Sequence, residues 1–323
     1  MHLLIPFASA DASGCREATD RLALPTLEKI LRRLTLVATD VGADTSLTPP
    51  HERALAHARG VVASDGCVPW AAMEVAQSGR DPGTDAWAWI TPVHWDVGAD
   101  HILMADPESL GLHEEDSRAL LAAMQPYFSE DGIVLEYADP GRWLARSRIF
   151  AGLASASLDR VAGREIGAWM PTEPSLRRLQ NEMQMLLYTH PVNDARLARG
   201  LASVNSFWVS GTGQLPSAAQ GAAMDAGNRS QPDPRAARDV VPDDTLRAAA
   251  LRNDWTAWAQ AWMQLDQGKL SGLLDGMQAH RDTQLSLCGE RSVLQFASAP
   301  GGMLQKLRRR FTHTRLQDLR DQL

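Results

Sequence analysis

Two stretches of the sequence concentrate side chains able to do chemistry. The first packs two imidazoles and two carboxylates, His94, Asp96, Asp100 and His101, into eight residues, a donor mixture that hard divalent ions accept. On a strand His94 and Asp96 share a face by the two-residue period, whereas the adjacent Asp100 and His101 diverge. The same residues also fit a polar β-hairpin from His94 to Asp100, with turn formers where a turn needs them, so a metal site and a plain hairpin are both open.

The second stretch runs from Glu182 to Gly213. His190, Asn193 and Arg196 fall on a turn between two helices, Asn205 and Trp208 flank a short strand, and Gly211 and Gly213 permit close backbone approach. An Asn at a strand end can hold a loop through its backbone, a Trp can wall a cleft, and a Gly-rich turn can cradle an anion. The plainer alternatives are a strand-to-loop exit around a buried Trp and mutual capping of the two helices.

The order Asn205-Ser206-Phe207-Trp208-Val209-Ser210-Gly211-Thr212-Gly213 resembles the RpfE-type bacterial regulatory protein family, whose members are often labelled phosphoglycerate mutase. A similar Asn-Ser-x-Trp-x-x-Gly-x-Gly pattern occurs in the archaeal-type cofactor-independent mutases. The likeness to the regulatory family spans most of the chain, from Leu3-Leu4-Ile5-Pro6 to Leu287-Cys288-Gly289-Glu290; the likeness to the mutases is confined to this one segment. The resemblance implies a fold distantly like alkaline phosphatase and a regulatory protein that binds a phosphorylated or anionic small molecule. Its alternative implication is an active metal-dependent mutase or phosphohydrolase. The mutases use two metal ions and a Ser nucleophile after an N-terminal strand carrying Asp-Gly. Here no Asp-Gly follows the first strand, and Ser9, Asp11 and Ser13 are the nearby substitutes. A serine hydroxyl needs a base or a metal to attack, and none stands beside them in the sequence. We therefore expect no cofactor in a catalytically degenerate protein, and divalent ions only if the enzyme alternative holds.

The elements that must position these groups alternate between β and α signals. Leu3 to Phe7 reads as a buried strand followed by a small polar turn. Helices are expected from Pro25 to Leu36, from Pro49 to Ala58 and from Pro69 to Ala76. Two strands follow over Ala86–Trp95 and His101–Met104, a helix over Ser109–Phe128 and a strand over Ile133–Tyr137. Thr172 is expected to cap a helix whose apolar stripe is Leu176, Leu179, Met183, Leu186 and Leu187. Val204–Val209 reads as a strand entering the Ser210–Gly213 turn, and Asp65-Gly66 and Asp131-Gly132 read as turns. Helices over Thr245–Leu251 and Trp255–Leu274, closing strands over Thr283–Cys288 and Val293–Phe296, and a last helix from Met303 complete the pattern. It predicts an α/β fold, a mixed and mainly parallel sheet flanked by helices. Residues 1–213 would form the core, 214–238 a flexible loop or linker, and 239–323 would complete the same domain, the closing strands joining the first sheet.

Composition bounds the function classes. Charged residues make up 22% and the apolar set 44% of 323 residues, which is ordinary for a globular chain. A net charge of −7 argues against a general nucleic-acid or anionic-membrane binder, because such surfaces are bound through Lys and Arg. No apolar run reaches the ~18 residues a spanning helix needs. Cys15, Cys67 and Cys288 show no CxxC spacing, so neither a disulfide framework nor a thiolate zinc site is indicated, and a cytoplasmic location is expected. Trp255, Trp258 and Trp262 share one helical face; they are either core or a stacking platform for a protein partner. Lys306, Arg308, Arg309 and Arg310 beside Leu304, Leu307 and Phe311 make an amphipathic basic knot, which docks on its own domain or serves the same adaptor role.

Overall fold

The computed structural model describes residues 1–215, 240–279, 282–298 and 314–323. The expected linker at 214–238, beyond its first two residues, and the basic knot at 306–310 lie outside the described residues. The chain divides into two compact units: one comprises Met1–Thr45, Pro49–Val61 and the described part of Gln231–Leu323, the other Ser46–Thr48 and the described part of Val62–Ser230. The sequence reading of 1–213 as one core thus differs from the observed division, because the N-terminal strand pairs with strands from the far end of the chain rather than with those that follow it.

The first unit opens with β1 (His2–Ile5), α1 (Ser13–Arg21), α2 (Pro25–Arg33), β2 (Thr35–Val41) and α3 (Pro50–Ala58). The helix expected as far as Leu36 stops at Arg33, since Leu34 turns extended and the β-prone Thr35-Leu36-Val37-Ala38-Thr39 enters the sheet instead.

The second unit carries α4 (Trp70–Gln77), β3 (Trp87–Val93), the hairpin β4 (Trp95–Val97) and β5 (Ile102–Met104), α5 (Glu114–Glu130), β6 (Val134–Asp139), β7 (Arg142–Arg146) and α6 (Leu158–Val161). It ends with α7 (Pro174–Tyr188), α8 (Pro191–Ala198) and β8 (Ser206–Gly213). Its four-stranded sheet has the order β6-β7-β3-β8, antiparallel throughout. One face packs through Ile90, Trp143, Phe207 and Val209 on Leu120, Met124, Phe128, Leu176, Leu179 and Met183. Those helical residues recur every three or four positions, which is why α5 and α7 present an apolar stripe to the sheet. The cap of α7 is Glu173, whose side chain accepts from the Ser175 amide, not Thr172.

The chain then returns to the first unit with β9 (Val240–Pro242), α9 (Arg247–Leu251), α10 (Trp255–Gln267), α11 (Lys269–Gln278), β10 (Gln284–Cys288), β11 (Ser292–Ala297) and α12 (Leu316–Leu319). The five-stranded sheet has the order β2-β11-β10-β1-β9. Strand β1 runs parallel to β10 and β9, and β11 is antiparallel to β10 and β2. The closing strands therefore do join the first sheet, and the architecture is α/β with a mixed sheet flanked by helices. Trp258 and Trp262 are fully buried in this core, stacked edge-to-face, so these two rings are packing, while Trp255 packs against the core half-buried. Among the described residues no helix is long and apolar enough to cross a membrane.

Candidate functional site

The two predicted sites lie in the second unit, and there the polar groups are spent on the fold. Arg196 is fully buried. Its Nε donates to the Ala202 carbonyl at 2.9 Å and its Nη2 to the Leu110 carbonyl at 2.6 Å, while Nη1 faces Asp116 at 3.4 Å. Asn193, also buried, donates to the Leu187 and Val204 carbonyls at 2.8 and 2.7 Å and accepts from the Val204 amide at 2.8 Å. Asn205 spans the backbone of Trp95, accepting from its amide at 2.7 Å and donating to its carbonyl at 2.8 Å. His190 caps α8 by accepting from the Val192 amide. Trp208 is buried, its indole N–H donating to the Ala156 carbonyl at 2.9 Å. A buried donor already satisfied by carbonyls is not available to a ligand. These residues are staples, and the capping alternative describes His190 and Asn193.

Nor do Gly211 and Gly213 form a turn. Strand β8 runs through them, with an irregularity in its ladder to β3 between Trp87 and Trp89. Gly211 sits at φ +63°, and a Cβ there would lie 2.7 Å from the Trp89 ring; the left-handed residue is the mark of a bulge.

His94, Asp96, Asp100 and His101 occupy the β4–β5 hairpin and its approach. His94 Nδ1 donates to the Ser203 carbonyl at 2.8 Å, the His101 ring packs over Gly98, and Asp96 and Asp100 are exposed. Among the described residues no group of three or more His, Cys, Asp or Glu is placed to hold a metal ion. The four do not converge, because the strand period splits the pairs and the hairpin tip spreads them. The paired ions of the mutases do not fit this donor set.

Loosely paired charge gathers instead in the first unit, where the parallel strands β10, β1 and β9 end. Strands that run parallel leave their carboxyl ends on one side, the side where open α/β sheets take ligands. Beyond β1 the loop is pinned by Ala8, whose amide donates to the Cys288 carbonyl at 2.7 Å, and by Trp258, whose indole donates to the Phe7 carbonyl at 2.9 Å. Phe7 takes φ +55°, a left-handed conformation costly for a bulky residue, and its ring lies 5.2 Å from that of His51. Asp11 follows, its amide donating to Glu290 at 3.3 Å. Its two carboxylate oxygens face Arg16 and Arg291, each at 3.8 Å, beyond hydrogen-bonding length. Arg291 also meets Asp44 at 3.4 Å. All four side chains are at least half exposed. Helix α1 begins here with no side-chain cap, so its first amides add partial positive charge.

At the end of β9, Asp243 is buried and its Oδ2 lies 2.5 Å from the Lys269 ammonium. Burial raises its carboxyl, but Lys269 and Thr245 outweigh burial and hold it below the usual carboxylate range. Ser9 is buried and Ser13 opens α1 exposed. Burial pushes the Cys15 and Cys288 thiols up, so neither supplies a thiolate. Of the groups at this end, Ser9, Asp11 and Ser13 are visible in the sequence as neighbours of the first strand; Arg16 and Arg291 carry no local signal, being brought together only by the β1–β10 pairing.

No protein-family model matches the chain, and no curated protein matches it. Among solved structures, the chain is similar to the cofactor-independent phosphoglycerate mutase from Thermoplasma acidophilum DSM 1728, at 15% identity and a TM-score of 0.36 over 98% of this chain and 94% of that one. It is also similar to the PH0037 protein from Pyrococcus horikoshii, at 14% identity and a TM-score of 0.42 over 95% of this chain and 92% of that one.

Proposed function

We propose that the protein is a phosphoglycerate-mutase-like regulatory protein that binds a phosphorylated or otherwise anionic small molecule without turning it over, at the carboxyl end of β1. The regulatory part rests on the resemblance of the Asn205–Gly213 segment. The binding part rests on one observation: Arg16 and Arg291, from different elements, straddle Asp11 at 3.8 Å on either side. Exposed pairs this loose contribute little to stability. A phosphate can take from the same two guanidiniums shorter, bidentate hydrogen bonds, and the uncapped start of α1 adds to the attraction.

Thermal-shift and calorimetric titrations with 3-phosphoglycerate and with inorganic phosphate test this. We expect saturable binding that Arg16→Ala and Arg291→Ala each weaken about tenfold, the loss of one charge-assisted contact. Binding indifferent to both substitutions, or none at all, removes the site. Turnover of 3-phosphoglycerate by the purified chain, with or without added divalent ions, favours the enzyme alternative.

A further inference from the structure

In the second unit a cleft of about 520 Å³ opens beside the β6–β7 edge of the sheet, within the size range of small-molecule sites. Its two carboxylates and two guanidiniums are unequally paired. Arg146 pairs with Asp85 at 3.0 Å, and Asp131 is held by Arg178. Arg148 also lines the cleft, is exposed, and faces no carboxylate among the described residues. Beside it, the Ser147 oxygen accepts from the Ile149 amide at 3.5 Å, which leaves the hydroxyl hydrogen for an outside acceptor. Val134 and Ile149 supply apolar wall on the same cleft. One guanidinium without an ion-pair partner among the described residues, one hydroxyl donor and a short apolar surface match a ligand with one negative charge and a compact hydrocarbon body.

We propose that this cleft binds a small organic carboxylate, with Arg148 and Ser147 at the carboxylate group and Val134 and Ile149 against its body. The inference is independent of the site at the end of β1.

Calorimetric titration of the full chain with sodium benzoate tests it, with benzyl alcohol as the uncharged counterpart. An Arg16→Ala/Arg291→Ala background keeps the other arginine pair out of the measurement. Saturable benzoate binding, none for the alcohol, and a loss of about tenfold or more in Arg148→Gln are expected for a charge-assisted contact. Ser147→Ala should weaken binding severalfold. Arg148 is exposed, so Arg148→Gln keeps the melting temperature and its result stands even if Ser147→Ala unfolds. No saturable binding, equal affinity in Arg148→Gln, or equal binding of the alcohol each overturns the proposal.

Discussion

The carboxylate of Asp266 caps a helix whose Thr26 lies 240 residues earlier in the chain: its Oδ1 accepts from the Leu27 amide at 2.8 Å and its Oδ2 from the Thr26 amide at 3.1 Å. Helix α2 starts at Pro25 behind Leu24, whose apolar side chain cannot accept from the first-turn amides. Asp266, buried in α10, meets both the orphan amides and the positive end of the helix dipole. Asp266→Ala should therefore cost about 2 kcal/mol, and Asp266→Asn, which keeps one acceptor, about half that. Urea denaturation gives the loss. Hydrogen exchange at Thr26 and Leu27 locates it, and unchanged exchange at those two amides in Asp266→Ala would refute the cap.

A second prediction concerns Arg196, the residue that a sequence reading places in an anion pocket. Its guanidinium ties the Ala202 carbonyl, the Leu110 carbonyl and Asp116 together from a fully buried position. Removing it leaves two carbonyls without their donor, although Arg199 still holds Asp116 at 2.6 Å. Arg196→Ala should destabilise the protein by about 3 kcal/mol. Arg196→Lys should fail to restore it, because one ammonium cannot reach along three directions. Phosphate binding, measured well below the variant's melting temperature, should match wild type; a selective loss of phosphate affinity with stability intact would return Arg196 to a ligand site.

What the sequence made legible follows from how local each signal is. The stripe Leu176, Leu179, Met183 and Leu187 is buried as its spacing requires, and Trp258 and Trp262 on one helical face are core. Both depend only on helical period. Arg196 misled because its partners lie up to 86 residues away, and no spacing rule reveals that a buried arginine has been claimed by carbonyls. Gly211 and Gly213 misled because the ladder to β3 carries a strand through a pair that reads locally as a turn. Strand β2 escaped notice since its residues are exposed on both faces beyond Thr35, which removes the alternation that marks a half-buried strand. Asp266 carries no local signal at all.

The last prediction is a pH dependence set by His2. Its ring lies in β1, buried, with Nε2 2.8 Å from the Ser286 hydroxyl and Nδ1 enclosed without a partner among the described residues. Burial first, and the nearby amino terminus second, push its pKa from 6.5 down to about 4. The unfolded chain therefore takes up a proton near pH 6.5 that the folded chain refuses until about pH 4. Between those values the unfolded state binds more protons, so stability rises with pH across the window. The contribution is complete above pH 6.5 and lost as pH falls towards 4; at ~1.4 kcal/mol per unit it amounts to roughly 3 kcal/mol. His2→Gln can keep a hydrogen bond to Ser286 but cannot titrate. Carboxylates titrate near the lower end of the same range, so the informative quantity is the difference between the two proteins. Unfolding free energies measured from pH 4 to 7.5 should show wild type gaining on His2→Gln as pH rises, most steeply midway between the two pKa values. Two parallel curves would mean that the imidazole is as easily protonated in the folded chain as in the unfolded one.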